Sequence, residues 1–138
     1  MNGKKILVID DQRNQLRLIK KLLTRLGHTA VTVDSAEEAG LILRWEKDFS
    51  MIITDLKMPW LDGLQFCRNA KTSYPKLKIY ALTGFLGGYD PQEIKAAGFD
   101  GVYQKPVRET LLIEILNAYQ TDISDEDPTG ASTNRSPQ

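Results

Sequence analysis

The sequence has little of what builds secreted, membrane-spanning or nucleic-acid-binding proteins. It contains one cysteine, Cys67, and so cannot form an internal disulfide. The charges of its 18 basic and 18 acidic side chains cancel, which argues against general electrostatic binding to nucleic acid or to acidic membranes. No apolar run approaches the roughly 20 residues of a membrane span. The start of the chain lacks the apolar stretch of a secretory signal, so the expected location is the cytoplasm.

Composition and length predict one folded domain followed by a polar tail. Hydrophobic residues make up 41% of the 138 residues, which is enough for a packed core. We assign the domain to residues 1–120, where the apolar periodicity lies. Residues 121–138 are rich in Ser, Thr, Asp, Pro and Gly, and Ile123 is their one large apolar side chain. This segment is predicted to be a disordered C-terminal tail or a linker.

Hydrophobic periodicity predicts five strands that alternate with five helices. Short apolar or β-branched runs predict strands at 5–9, 29–33, 50–54, 77–82 and 101–104. Apolar residues at helical spacing predict helices at 12–26, 35–46, 62–73, 90–98 and 106–120. Ser35 and Asp90 are expected to be N-caps, and Gly27 and Gly98 are expected to end helices. Cys67 and Trp45 lie on two of these helices, and both are interpreted as packing residues.

The alternation predicts an α/β fold, in which helices cover both faces of a parallel sheet. The first, third and fourth strands are continuous apolar runs, as expected for central strands buried on both faces. The second strand alternates and the fifth is short, so both are placed at the edges. The order 2-1-3-4-5 satisfies these demands and corresponds to a flavodoxin-like (βα)5 doubly wound sandwich.

Five polar side chains stand where predicted strands end, namely Asp10, Asp11, Asp55, Thr83 and Lys105. In doubly wound sheets the ligands bind at this edge. Three clustered carboxylates favour Mg²⁺ or Mn²⁺, a carboxylate can attack a phosphoryl group, and Thr83 and Lys105 can contact phosphate oxygens. Each position also has an ordinary interpretation: a helix cap, a loop acid, a turn or a solvated lysine. These ordinary interpretations would have to hold at all five positions together, which favours a site.

The segments around these residues resemble the receiver domain of two-component response regulators. The resemblance covers residues 4–120. It rests on Asp10-Asp11 after an apolar strand, the stretch TDLKMPWLDGL with Asp55 and Met58-Pro59, the segment from Ala81 to Gly84, and Lys105-Pro106.

The resemblance implies a phosphoryl-accepting metal site. Asp55 corresponds to the phosphoacceptor. Asp11 corresponds to the direct Mg²⁺ ligand, Asp10 acts largely through water, and the Lys57 backbone carbonyl is a further ligand. With Asp55 these residues form the implied metal set, for which Mn²⁺ is a substitute.

Other positions correspond to the switch and to the contacts of the phosphoryl group. Thr83 resembles the hydroxyl that moves onto this group, and Lys105 resembles the lysine that pairs with it. The backbone N–H groups of Lys57 and Gly84 are expected to donate further hydrogen bonds to the phosphoryl group. The peptide bond from Lys105 to Pro106 is expected to be cis. The implied donor is a sensor histidine kinase or a histidine phosphotransfer protein. An unknown output partner would bind the face of the fourth helix, fifth strand and fifth helix.

The sequence departs from the family pattern beside this site. Receivers often carry Tyr or Phe three residues before the lysine, but that position is Val102. Tyr103 follows it, and on a strand the next residue faces the other way. Either Tyr103 takes the role of that aromatic residue through a local distortion of the strand, or the loop after Thr83 transmits the signal. Within that loop Phe85, Leu86 and Tyr89 are expected to pack, while Trp60 is either a partner contact or a lid over the site.

Two alternative functions stay open at this point. The first is a Mg²⁺-dependent phosphohydrolase with an aspartyl nucleophile. Haloacid dehalogenase-like enzymes of this kind carry an Asp two residues after the nucleophile, and the chain has Lys57 at that position. A pseudoreceiver, which binds partners without taking phosphate, would usually lack one of the five side chains. The expected role is therefore a signalling switch and not a metabolic enzyme. The start of the chain favours a stand-alone protein or the N-terminal part of a regulator.

Overall fold

The computed structural model describes residues 3–57, 63–84 and 88–125. Strands and helices alternate along the chain, as the sequence predicts. In chain order the elements are β1 (Lys5–Ile9), α1 (Arg13–Arg25), β2 (Thr29–Val33), α2 (Ala36–Trp45), β3 (Met51–Asp55), α3 (Gly63–Ser73), β4 (Lys78–Thr83), α4 (Pro91–Ala97), β5 (Gly101–Gln104) and α5 (Glu109–Asp125).

The strands form one parallel sheet in the order β2-β1-β3-β4-β5, which confirms the predicted flavodoxin-like topology. The central strands β3 and β4 are buried throughout, and β1 is buried after its first residue. The edge strands β2 and β5 are partly exposed. The pairs Ile9 with Thr54 and Asp55 with Leu82 align the carboxyl ends of neighbouring strands at one edge of the sheet.

Two hydrophobic cores lie on opposite faces of the sheet, because successive residues of a strand point in opposite directions. On β1, Leu7 and Ile9 face the core shared with α2, α3 and α4, which we call the first core. Ile6 and Val8 face the second core, shared with α1 and α5. Cys67 belongs to the first core and is 0% exposed, which confirms it as a small buried filler.

The predicted helix ends are largely confirmed. Ser35 Oγ accepts the backbone N–H of Glu38 at 3.1 Å and caps α2. Asp90 Oδ1 accepts the N–H of Gln92 at 2.9 Å and caps α4. Gly98 ends α4 with a φ of 105°, a left-handed conformation that a residue with a Cβ rarely adopts.

The last helix differs from its prediction at both ends. It begins at Glu109 and not at residue 106, and it continues through residues 121–125, which the composition of the sequence predicts to be part of the tail. The extension is stabilised because Ile123 packs against the second core and Tyr80 donates a hydrogen bond to Asp122. The rest of the predicted tail, 126–138, lies outside the described residues.

One further expectation was wrong. Trp45 is 81% exposed and does not pack, because Ala36, Ala39 and Leu43 form the buried face of α2 and Trp45 lies on its outer side. His28, in the turn before β2, is half-buried, and its Nδ1 accepts the backbone N–H of Lys4 at 3.0 Å.

Candidate functional site

The five predicted polar side chains come together at the carboxyl edge of the sheet. Asp10 and Asp11 follow β1, Asp55 and Thr83 are the last residues of β3 and β4, and Lys105 follows β5. The backbone N–H of Lys105 donates to the Thr83 carbonyl at 2.9 Å. This hydrogen bond ties the segment that carries the lysine to the end of the neighbouring strand.

Three carboxylates form a cluster that fits a hard divalent cation. Asp10, Asp11 and Asp55 each offer an oxygen, and these atoms lie within 4.8 Å of one another. Asp10 and Asp55 are buried and Asp11 is exposed. Like charges this close repel each other unless a cation lies between or beside them. Oxygen ligands of this kind, with one open to solvent, suit Mg²⁺ or Mn²⁺.

The two adjacent acids do not cap the first helix. The N-cap of α1 is Gln12, and its side chain makes no capping hydrogen bond. Asp10 Oδ1 instead accepts the N–H of Gln12 at 2.9 Å, which orients this carboxylate towards the edge of the sheet. The capping interpretation of Asp10 and Asp11 is therefore set aside in favour of the site.

Lys105 contacts both buried carboxylates. Its Nζ lies 2.9 Å from Asp10 Oδ2 and 3.6 Å from Asp55 Oδ2. The lysine side chain is itself only 16% exposed, so solvent screens these contacts less than it would a surface pair. The ammonium offsets part of the repulsion between the acids, and it is positioned to pair with an anion attached to Asp55.

Burial governs the protonation of Asp55. Loss of hydration raises the pKa of this carboxyl above its ordinary value, and the nearby charge of Asp10 adds to the shift. Lys105 and the N–H of Lys57, which lies 3.4 Å from Asp55 Oδ1, oppose it. Thr54 Oγ1 donates to the Asp55 carbonyl at 3.0 Å and fixes the backbone there.

Gly63 supports the site, a role that the strand and helix pattern of the sequence does not predict. Its N–H donates to the Leu56 carbonyl, and a Cβ built on it would lie 2.5 Å from the Asp55 carbonyl oxygen. It would also lie 2.7 Å from the Leu56 Cα, so only glycine permits this approach of α3 to the strand end. The sequence feature that could have indicated this role is a glycine at the start of a predicted helix, eight residues after Asp55.

The remaining predicted residues differ in how far the structure describes their roles. Thr83 is 2% exposed at the end of β4, and the space where a Gly84 side chain would lie is open. The peptide bond between Lys105 and Pro106 is cis, as expected. The metal-ligand role of the Lys57 carbonyl stays a prediction.

Val102 and Tyr103 lie on opposite faces of β5, as predicted. Val102 packs against the first core and Tyr103 against the second, where its ring centroid is 6.4 Å from that of Tyr80. Tyr89 packs against the first core. The expectations for Trp60 and for Met58-Pro59, Phe85 and Leu86 concern positions outside the described residues.

The sequence profile of the response regulator receiver domain matches residues 6–117. The chain belongs to this family. The match covers both the strand ends that carry the carboxylates and the segment that carries Lys105. In the described ranges of this receiver, no helix is both long and apolar enough to cross a bilayer.

The relatives of this receiver include a protein of similar length and a much longer one. It is 33% identical over 115 residues to a chemotaxis protein CheY homolog of Campylobacter jejuni, covering 81% of the receiver chain and 88% of that protein. It is 31% identical over 120 residues to the virulence sensor protein BvgS of Bordetella bronchiseptica, covering 82% of the chain but only 10% of that protein. The solved response regulator protein TrrA of Thermotoga maritima, in complex with Mg(2+)-BeF, is 26% identical with a TM-score of 0.76, covering 84% and 98% of the two chains.

Proposed function

We propose that this receiver is a phosphorylation-controlled signalling switch that accepts a phosphoryl group on Asp55 from a phosphohistidine. The observation that carries the proposal is the position of Lys105 Nζ, 2.9 Å from Asp10 Oδ2 and 3.6 Å from Asp55 Oδ2. One edge of the sheet thus holds a nucleophilic oxygen, the oxygens that a cation requires and an ammonium for the incoming anion.

The proposed cofactor is Mg²⁺, with Mn²⁺ as a substitute. Asp10, Asp11 and Asp55 would hold it together with the Lys57 carbonyl, and the fit is supported by the three oxygens within 4.8 Å of one another. When bound, the ion neutralises charge on the transferred phosphoryl group. TrrA in its complex with Mg(2+)-BeF shares this receiver's fold and supports the same assignment.

The chain's own groups perform the transfer. An ionised Asp55 oxygen attacks the phosphorus in line with the bond to the donor imidazole, and that bond breaks as the acyl phosphate forms. The Lys105 ammonium pairs with one phosphoryl oxygen, and the Thr83 hydroxyl donates to another. The N–H groups of Lys57 and Gly84 donate to the same group. The partial burial of the site keeps these contacts strong, because less water competes for them.

As a switch, the domain would need a phosphoryl donor and an output partner. The donor is a sensor histidine kinase or a histidine phosphotransfer protein, and the output partner binds the face formed by α4, β5 and α5. The domain acts as a switch with slow autodephosphorylation, not as a metabolic enzyme, and its location is the cytoplasm. Phosphorylation shifts the population between two states of that face, because Thr83 and Lys105 lie at the ends of the strands beside it.

Intact-mass analysis after incubation with acetyl phosphate and Mg²⁺ tests the proposal. The wild type should gain one phosphoryl group, and Asp55→Asn should gain none. Asp48→Asn is the matched control, because Asp48 is an exposed acid whose partner is Lys5 and should label as the wild type does. Prior chelation of the metal should prevent labelling.

Other outcomes contradict the assignment in distinguishable ways. Labelling of Asp55→Asn at the wild-type level would place the acceptor elsewhere. Hydrolysis of many equivalents of a phosphate ester without a stable adduct would indicate a phosphohydrolase. No adduct from acetyl phosphate or from a phosphohistidine protein, together with no ester turnover, would indicate a pseudoreceiver.

A further inference from the structure

The outer side of α2 carries an apolar patch that the proposed function does not use. Trp45 is 81% exposed and Leu41 is 50% exposed, more than any other large hydrophobic side chain in the described ranges. They are four residues apart, so they are neighbours on one face of the helix. Exposing an indole ring to water without a partner forgoes the largest hydrophobic gain that a side chain offers.

Charged residues of opposite sign flank this patch at its two ends. Glu37 lies one turn before Leu41, and Arg44 lies beside Trp45 at the other end of the helix. The ion pairs found in residues 3–57, 63–84 and 88–125 involve neither of these two side chains. An acid in the first turn and a base in the last turn also suit the helix dipole, but the dipole does not explain the exposed Trp45.

We propose that the α2 face formed by Glu37, Leu41, Arg44 and Trp45 is a self-association surface that binds a second copy of this chain. The patch is complementary to itself when two α2 helices pack antiparallel about a two-fold axis near Leu41. Each Glu37 then lies beside Arg44 of the second copy, twice by symmetry, and each Trp45 is covered by the first turns of the opposite helix. A parallel arrangement would instead place like charges together.

The size of the helix sets the strength of the association. Ten residues of α2 span about 15 Å, so the contact is small and belongs to the weak, transient class of interfaces. The association is therefore concentration-dependent. It uses a face built from α2 alone, distant in the sheet order from α4 and β5, so it does not require phosphorylation of Asp55.

Sedimentation velocity of the full, unphosphorylated chain over roughly 10 µM to 1 mM tests the proposal. The wild type and Asp55→Asn should show the same concentration-dependent dimer. Trp45→Ala should raise the dimer dissociation constant at least about tenfold, as for a buried aromatic hot spot. Ile113→Ala on α5 and Leu18→Ala on α1 are matched controls at exposed apolar positions and should associate as the wild type does. Unchanged phosphoryl uptake by Trp45→Ala would show that this variant is folded.

Charge reversal separates the interface from an effect on the helix alone. Glu37→Arg and Arg44→Glu should each weaken the dimer, because each creates two repulsive contacts by symmetry. The double variant should recover it, since both pairs are restored with opposite sign. If the substitutions acted only by destabilising α2, the double variant should instead associate more weakly than either single variant. Its Arg at the N-terminus and its Glu at the C-terminus would both oppose the helix dipole. A monomer at all concentrations would overturn the proposal. So would a dimer sensitive to Ile113→Ala and not to Trp45→Ala, or binding of Trp45 to anionic lipid vesicles by a chain that stays monomeric.

Discussion

The Tyr80 hydroxyl donates a hydrogen bond of 2.6 Å to Asp122 Oδ2 and thereby joins the centre of β4 to the last turns of α5. Tyr80 is 0% exposed, and burial followed by the hydrogen bond to the carboxylate raises its pKa. The phenol therefore remains a donor throughout the neutral range. This bond, with Ile123 against the second core, holds residues 121–125 in the helix.

Removing either partner of this bond should destabilise the fold. Tyr80→Phe is expected to lower the free energy of unfolding by about 1 kcal/mol, the usual net worth of one hydrogen bond. Asp122→Ala should cost a similar amount. The double variant should cost clearly less than the sum of the two, because both changes remove the same contact. Urea unfolding of the four proteins measures this cycle, and additive losses would show that the two side chains act independently.

Metal affinity should respond in opposite directions to two substitutions at the site. Asp11→Ala should weaken Mg²⁺ binding strongly, because it removes a carboxylate of the cluster. Lys105→Met should strengthen Mg²⁺ binding at least about threefold, since it removes a positive charge that competes for Asp10 and Asp55. Thr83→Ala, which removes no charge, is the control and should have little effect. A metal titration followed by calorimetry measures all three, and equal effects of Asp11→Ala and Thr83→Ala would mean that the ligands are misassigned.

The position of the candidate site could be predicted from the sequence because its residues lie at or just after the carboxyl ends of strands. Continuous apolar runs located β1, β3 and β4, and parallel strands bring their carboxyl ends to one edge. The predicted positions of the strands were therefore enough to predict that Asp10, Asp55 and Lys105 lie close together. Gly63 could not be found in this way, because its role depends on how closely α3 approaches the backbone of Asp55 and Leu56.

Two other features depend on tertiary contacts that composition does not encode. Residues 121–125 look polar enough for a tail, but Asp122 and Ile123 find partners on the sheet and in the second core. Trp45 has the character of a core residue, yet it stands at a helix position where the buried face is already filled by Ala36, Ala39 and Leu43. Its ring therefore lies on the surface, within the proposed self-association face of α2.

The thiol of Cys67 should be inert in the folded protein. Burial raises its pKa to about 12, and the side chain has no exposed surface. A thiol reagent at about pH 8 should therefore react only as fast as the protein unfolds, and addition of denaturant should release the full reaction. Rapid labelling of the native protein, at the rate of a free thiol, would contradict the packing of α3.

Stability should depend on pH through His28. Burial, and then the charge of Lys4, lower its pKa below the ordinary value of 6.5, and its neutral Nδ1 accepts the N–H of Lys4 at 3.0 Å. The unfolded chain binds this proton more readily. The contribution of His28 is therefore fully present above pH 6.5 and is lost as the pH falls through the lowered folded-state value. His28→Gln should cost about 1 kcal/mol near pH 7.5, and the gap to the wild type should narrow near pH 5.5. Comparing the two proteins at both pH values cancels the titration of the other groups, and a gap that stays constant or widens would show that His28 is charged in the folded state.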